Sequence, residues 1–144
     1  MKTLFLPLLL FVAGTTFGQT QPAPRPMAKL GESVWVWAYP VKADKRQQYE
    51  HFIHDIFMAG ANKLDAAGQQ MFRQTRVMHP IKANADGSYT YLFIMDPVVK
   101  GANYDIESAT KKMYGPKQGA EYYKLFEDAL AGKDVGYMTT QSKN

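Results

Sequence analysis

The chain has 144 residues, of which 46% are hydrophobic and 21% charged, and its formal net charge is +4 at pH 7. It contains no cysteine, which excludes a disulfide scaffold, a lipid-anchored lipoprotein and a thiol nucleophile. The Lys and Arg residues are scattered along the chain and form no basic stripe. Nucleic acid is therefore not an expected partner.

The first 18 residues have the three-part layout of a secretory signal peptide. Lys2 supplies the positive start, residues 4–13 are apolar, and small residues precede an expected cleavage after Gly18. The apolar run is too short to span a bilayer, so we expect no membrane attachment after cleavage. This pattern predicts a periplasmic or secreted protein.

The next segment, residues 19–28, is rich in proline and reads "QTQPAPRPMA". This composition predicts a disordered linker. Residues 29–144 remain, enough chain for one domain with a single core. No internal repeat is present.

Alternating residues mark a first strand at "ESVWVWAYPV", bounded by Gly31 and the region of Pro40. A helix is expected to follow over about residues 45–67, or to break near Gly60, with Asp44 as N-cap and Gly68 as a stop. Its apolar stripe is spaced as on one helical face and comprises Tyr49, Phe52, Ile53, Ile56, Phe57, Gly60, Leu64 and Ala67.

Two further strands, "MFRQTRVMHPIK" and "SYTYLFIMD", flank "ANADG", whose Asp86-Gly87 pair is a strong hairpin signal. Asp105 is the expected N-cap of a short helix that Gly115-Pro116 breaks, and "PKQGAEYYKLFEDALAG" forms another. The segment "DVGYMTTQ" is expected to be the last strand.

This order of elements predicts an α+β, ferredoxin-like βαββαβ domain. Its sheet has four antiparallel strands, with helices on one face and the other face open. The first and third strands are expected to be central neighbours.

On those strands the aliphatic residues Val34, Val36, Ala38, Leu92 and Ile94 alternate with aromatic ones. Compact aliphatic side chains suit close helix packing, so we assign them to the helices. The aromatic residues are then expected on the open face. Such a face is too apolar to stay exposed to solvent on a monomer, so we expect something to cover it.

The residues "YTYLFIMDPVVKGANYDI" and "YYKLFEDAL" resemble small exported bacterial proteins of the dimeric α/β-barrel superfamily, over roughly residues 32–140. Two sheets pack face to face in that group, so the resemblance implies a homodimer. The group includes antibiotic-biosynthesis-type monooxygenases and haem-degrading enzymes. No catalytic motif of either matches residue by residue, so no activity carries over.

The hairpin register decides which residues of the second strand join the aromatic ones. A tight even-length loop places Arg76 among the aromatic residues and Thr75, Val77 and Ile81 toward the helices, whereas an odd loop brings in His79. The candidate pocket comprises Trp35, Trp37, Tyr39, Arg76, Tyr91 and Phe93. Arg76 would meet an anionic group there, so the expected ligand is a small aromatic or anionic molecule.

Histidines offer little further chemistry. His51 and His54, beside Asp55, are expected on the solvated helix surface and make a weak zinc motif. His79 is a general base only in the odd register. The loop holding Asp96, Asn103 and Tyr104 can rim a site. We predict no metal and no cofactor, and the catalytic residues stay unknown.

The function expected first is small-molecule binding. A cofactor-independent monooxygenase-like or haem-processing enzyme is the alternative, and a structural dimer without a ligand is the third interpretation.

Overall fold

The computed structural model describes residues 25–143. The expected signal peptide and most of the expected linker lie outside this range. Residues 25–29 have no regular secondary structure, and the backbone N–H of Ala28 donates to Asp96 Oδ1 at 2.8 Å. No helix of the described residues is long and apolar enough to cross a membrane.

Four antiparallel strands form one sheet in the order β2-β3-β1-β4. They are β1 (Ser33–Val41), β2 (Thr75–Met78), β3 (Tyr89–Met95) and β4 (Val135–Thr140). With β1 and β3 in the centre, the fold is the predicted α+β, ferredoxin-like one.

The first crossover is helical but not one regular helix. Helix α1 (Arg46–His51) continues as a π-helical segment (Phe52–Met58) and a 3₁₀ segment (Ala59–Lys63). The expected cap at Asp44 is not formed, because a short 3₁₀ turn (Ala43–Lys45) begins the crossover without a side-chain cap.

Helix α2 (Ala66–Gln74) replaces the expected first half of the second strand. Asp65 caps it by accepting the backbone N–H of Gly68 at 2.8 Å, so Gly68 lies inside a helix and does not end one. Strand β2 ends at Met78 and β3 begins at Tyr89, so the hairpin connection spans residues 79–88, and the turn at its tip has Gly87 at φ +81°.

Helices α3 (Ile106–Tyr114) and α4 (Pro116–Glu127) form the second crossover. Asp105 caps α3 as predicted, accepting the N–H of Ser108 at 2.7 Å. Gly115, at φ +83°, separates the two helices. The helices pack so closely that a Cβ at Gly119 would lie 2.5 Å from Lys111 Cα.

The faces of the sheet are the reverse of those predicted. The ring of Tyr39 packs against Phe126 of α4, and the rings of Tyr91 and Phe93 pack against Tyr49 and Phe57 of the first crossover. The helices themselves carry aromatic side chains inward, so aromatic rings meet aromatic rings between the two layers in tilted and edge-on pairs. The aliphatic residues of β1 and β3 lie on the open face.

On this open face no helix of the described chain packs. Its apolar members are half-buried or exposed, with Met78 46%, Val135 49% and Tyr137 57% accessible. We call these residues the open face: Val34, Val36, Ala38, Met78, Leu92, Ile94, Val135 and Tyr137.

Candidate functional site: a cleft between the sheet and the helices

A cleft of about 350 Å³ opens between the sheet and the α3–α4 pair. Strand β1 supplies its floor, α3 and α4 its opposite wall, and the loops before α3 and β4 its ends. The lining residues are Trp35, Trp37, Tyr39, Tyr104, Asp105, Ile106, Tyr123, Phe126, Leu130 and Asp134.

Trp37 lies at the edge of the sheet that β4 forms. Its Cα partner on β4 is Gly136, and the indole ring lies against that glycine. Because glycine has no side chain, the ring has room to lie against β4.

Neighbouring aromatic side chains hold the other rings in place. Trp35 and Tyr104 lie 5.5 Å apart at 58°, and the Tyr104 hydroxyl accepts the backbone N–H of Val99 at 2.8 Å. Tyr39 meets Phe126 edge-on at 5.2 Å, and Tyr123 stacks on the same ring at 5.8 Å. The cleft is therefore a preformed, ring-lined site of the kind that takes small organic ligands.

Two carboxylates, those of Asp105 and Asp134, are the charged groups of the lining. Asp105 Oδ1 is engaged with Ser108 as the α3 cap. No cation of the described chain lies within salt-bridge distance of Asp134. The cleft thus combines aromatic rings with a free negative charge.

Burial raises the pKa of the Tyr39 hydroxyl, and Asp134, Tyr123 and Asp105 raise it further by charge repulsion. The pKa of Tyr123 is raised first by burial and then by the carboxylates of Glu127, Glu107, Asp105 and Asp134. Both hydroxyls therefore keep their protons at neutral pH.

The six predicted pocket residues divide into separate locations. Trp35, Trp37 and Tyr39 line the cleft, whereas Phe93 lines a small void of about 20 Å³ behind it. Tyr91 is fully buried.

Arg76 does not join the aromatic side chains. Its Cα partner is Ile94, which puts it on the open face, where it pairs with Asp96 at 2.9 Å. Met78 pairs with Leu92, which leaves an odd number of residues between the two strands' paired positions, so even positions face even ones. The predicted grouping of Arg76 with Tyr91 and Phe93 is therefore wrong, and the odd-loop alternative holds, with the His79 ring 5.3 Å from that of Tyr91. Thr75 and Val77 do face the helices, as predicted.

A second polar group lies where α1 meets the end of β2. The Tyr91 hydroxyl donates to Glu50 and accepts from Arg46 Nε at 3.1 Å. Burial and the Glu50 hydrogen bond raise the pKa of Tyr91. His79 lies 3.6 Å from Glu50, and its Nε2 is 2.8 Å from His54 Nε2. The Tyr91 hydrogen bonds join β3 to α1, and the His54–His79 hydrogen bond joins the connection after β2 to the first crossover.

As predicted, His51 and His54 are exposed, and His51 pairs with Asp55 at 2.8 Å. Across residues 25–143, no three His, Cys, Asp or Glu side chains converge in a way that would hold a metal ion.

Three residues of the cleft lining were singled out in the sequence, but for roles other than lining a pocket. Tyr104 was expected in a rim loop, Asp105 as a helix cap and Tyr123 on an inward helix face. Asp134, in the loop before β4, carried no signal, since a single loop aspartate looks like any turn residue.

No family model matches the chain, and no curated protein matches it. A solved structure, that of a proposed antibiotic biosynthesis monooxygenase from Caulobacter crescentus, is similar to it over 79% of this chain and 92% of that one. The sequence identity is 14% and the TM-score 0.43. At these values the similarity carries no argument about activity, and the site must be interpreted from its own residues.

Proposed function

We propose that this chain is an exported small-molecule-binding protein whose ligand lies in the cleft between β1 and the α3–α4 pair. The observation that carries the proposal is the ring-lined cleft itself. Trp35, Trp37 and Tyr104 stay half-buried there, although burying such rings is strongly favourable. A ligand that covers them gains that apolar contact.

The binding proposal is tested with the mature protein and a neutral aromatic probe, 2-phenylethanol, by isothermal titration calorimetry. We expect saturable binding that Trp35→Ala weakens. Tyr122→Ala is the matched control, because Tyr122 is a half-buried ring on α4 that is part of neither the lining nor the open face. The absence of binding by any such single-ring probe, neutral or charged, or equal loss in both variants, would contradict the proposal.

An enzyme using the same cleft is the second candidate. Asp134 is a carboxylate without a cationic partner beside an apolar, ring-lined space, and such a group can accept a proton from a bound substrate. A cofactor-independent oxygenase would consume oxygen with an electron-rich aromatic substrate, and Asp134→Asn would abolish this. A haem-processing role is less well supported, because all three histidines lie outside the lining.

Two copies of the chain are proposed to pair through the open face. Eight apolar side chains lie there on a helix-free surface, and an apolar patch of this kind is typical of homodimer interfaces. Sedimentation velocity of the mature protein is expected to show a dimer. A monomer at micromolar concentration would contradict the pairing.

Export rests on the first 18 residues alone. We expect the full chain, expressed in a Gram-negative host, to be recovered outside the cytoplasm with its leader removed. Mass spectrometry of the purified protein then gives the cleavage site, expected after Gly18.

A further inference from the structure

We infer that the cleft selects an organic cation, a small ammonium compound carrying an apolar or aromatic body. This inference rests on the proposed binding function and specifies the chemical class of the ligand. It replaces the anionic ligand expected from the sequence, because the cation meant to bind that anion, Arg76, lies on the other sheet face and is already paired with Asp96.

Aromatic faces supply the first part of the argument. Five Trp and Tyr rings border the cleft, contributed by β1, the loop before α3, and α4. The face of an aromatic ring is the negative end of its quadrupole, and a cation within about 6 Å of it is attracted. Several rings around one space form the kind of cage that binds quaternary or alkylated ammonium groups.

The charge of the lining points the same way. Asp105 and Asp134 line the cleft, whereas no Lys, Arg or His does, although the whole chain carries a net charge of +4. Lys133 is next to Asp134 in the chain but is not part of the lining. An anion would therefore meet two carboxylates and aromatic side chains, with no positive side chain to offset them.

Asp105 and Asp134 are exposed to solvent, and their charges also act on the tyrosines that border the cleft. Both contribute to raising the pKa of Tyr39 and of Tyr123, whose rings lie on opposite walls of the cleft. Negative potential thus reaches the sheet side and the helix side alike. The protonated tyrosine hydroxyls add no negative charge of their own. Glu127 and Glu107 also raise the pKa of Tyr123 but are not part of the lining.

Asp134 is the principal partner for the positive charge. One carboxylate oxygen of Asp105 already accepts the cap hydrogen bond of α3. The partial positive charge of the helix N-terminus also offsets the negative charge of Asp105. No described cation pairs with Asp134. An ammonium group would supply the missing partner while its apolar body covers Trp35 and Trp37.

The volume of the cleft limits the size of the ligand. At about 350 Å³ it is near the lower end of the range for ligand pockets, about 300–1,000 Å³. A single-ring amine fits this description better than a polycyclic compound or a peptide.

The test uses three molecules of nearly the same shape and different charge: 2-phenylethylammonium, 2-phenylethanol and phenylacetate. Their dissociation constants for the mature protein are measured by calorimetry at low salt. We expect the ammonium compound to bind about tenfold more tightly than the alcohol, from the combined cation–π and ion-pair contributions. Phenylacetate is expected to bind most weakly.

Asp134→Asn keeps the shape of the side chain and removes its charge. We expect this variant to bind the ammonium compound with a dissociation constant close to that of the alcohol. The dissociation constant of the alcohol itself is expected to stay unchanged. Asp44→Asn is the matched control, since it makes the same change of charge at an exposed position outside the lining. It is expected to preserve the tenfold preference.

The possible failures are distinguishable. If the alcohol binds as tightly as the ammonium compound, or if phenylacetate binds most tightly, the inference is wrong and the binding function stands. If none of the three binds, the proposed function itself is contradicted. If Asp134→Asn and Asp44→Asn weaken the binding of the ammonium compound equally, the preference arises from the net charge of the protein and not from the cleft. That result would overturn the inference.

Discussion

The Trp37 indole lies directly against Gly136 on the neighbouring strand: a Cβ at position 136 would lie 2.6 Å from ring atoms Cη2 and Cζ3. No side chain larger than hydrogen fits there without moving the ring. The glycine of the edge strand therefore determines where the floor of the cleft lies.

Gly136→Ala is expected to displace the Trp37 ring, to lower the free energy of unfolding by about 1–3 kcal/mol as overpacking does, and to weaken ligand binding several-fold. Chemical denaturation and calorimetry measure the two effects. Gly132→Ala is the control, because a Cβ there meets only Pro40 Cγ at 3.9 Å. Equal behaviour of the two variants would show that the ring does not depend on Gly136.

Adjacent residues on β3 give a direct test of which sheet face is the core. Phe93 is 2% exposed, so Phe93→Lys buries an unpaired charge and is expected to unfold the domain, at a cost above about 3 kcal/mol. Ile94→Lys places the charge on the open face and is expected to give a folded monomer. Circular dichroism shows whether each variant is folded, and sedimentation velocity shows whether it is a monomer. If Phe93→Lys is folded and Ile94→Lys is unfolded, the core lies on the Ile94 side of the sheet, as the sequence predicted.

Two glycines near the α3–α4 turn are needed for different reasons. Gly119→Ala puts a Cβ 2.5 Å from the Lys111 backbone. We therefore expect the free energy of unfolding to fall by about 2 kcal/mol or more, although alanine is a better helix former than glycine by about 1 kcal/mol. Gly115→Ala meets nothing within 4 Å and is expected to cost about 1–3 kcal/mol from backbone strain alone, because φ +83° with ψ 163° is a conformation that essentially only glycine adopts. Urea denaturation compares them; a stabilised Gly119→Ala would contradict the close helix contact.

Acid is expected to weaken the link between α2 and α3. The hydrogen bond from Lys112 and the cap bond from Gly68 hold the pKa of Asp65 below its ordinary value. A carboxyl whose pKa is lower in the folded chain stabilises the fold above its unfolded pKa, about 3.9, and this contribution is lost as pH falls through the folded pKa. Asp65→Asn should therefore reduce the free energy of unfolding at pH 7 and have no effect in strong acid.

Glu121→Gln is the control for Asp65, since Glu121 is exposed on α4 and forms no ion pair with another described residue. Its stability should follow that of the parent chain at both pH values. If Asp65→Asn is equally destabilising in acid, the cap bond to Gly68, and not the charge, accounts for its effect.

The order of the elements was predictable because each carries a local signal. Alternation marks β1 and β3, Asp105 caps α3, and Gly115 with Pro116 separates α3 from α4. These signals depend on chain neighbours, which the sequence shows directly. The ferredoxin-like topology follows from that order.

The faces were not predictable in the same way. Alternation says which residues share a face, but the choice of face depends on the partner layer. Aliphatic residues were assigned to the helices on grounds of compactness, whereas the helices carry inward aromatic rings such as Phe57 and Phe126. Likewise, the position of Arg76 depended on the length of the connection after β2, which pairs Met78 with Leu92 and so turns Arg76 away from the aromatic rings.

Both tryptophans of the chain, Trp35 and Trp37, line the cleft. The intrinsic emission excited at the red edge of the absorption band therefore originates in the cleft alone, without interference from indoles elsewhere in the protein. An unlabelled compound library can be screened by the quenching or spectral displacement it causes, and the optical signal will report on the candidate site itself.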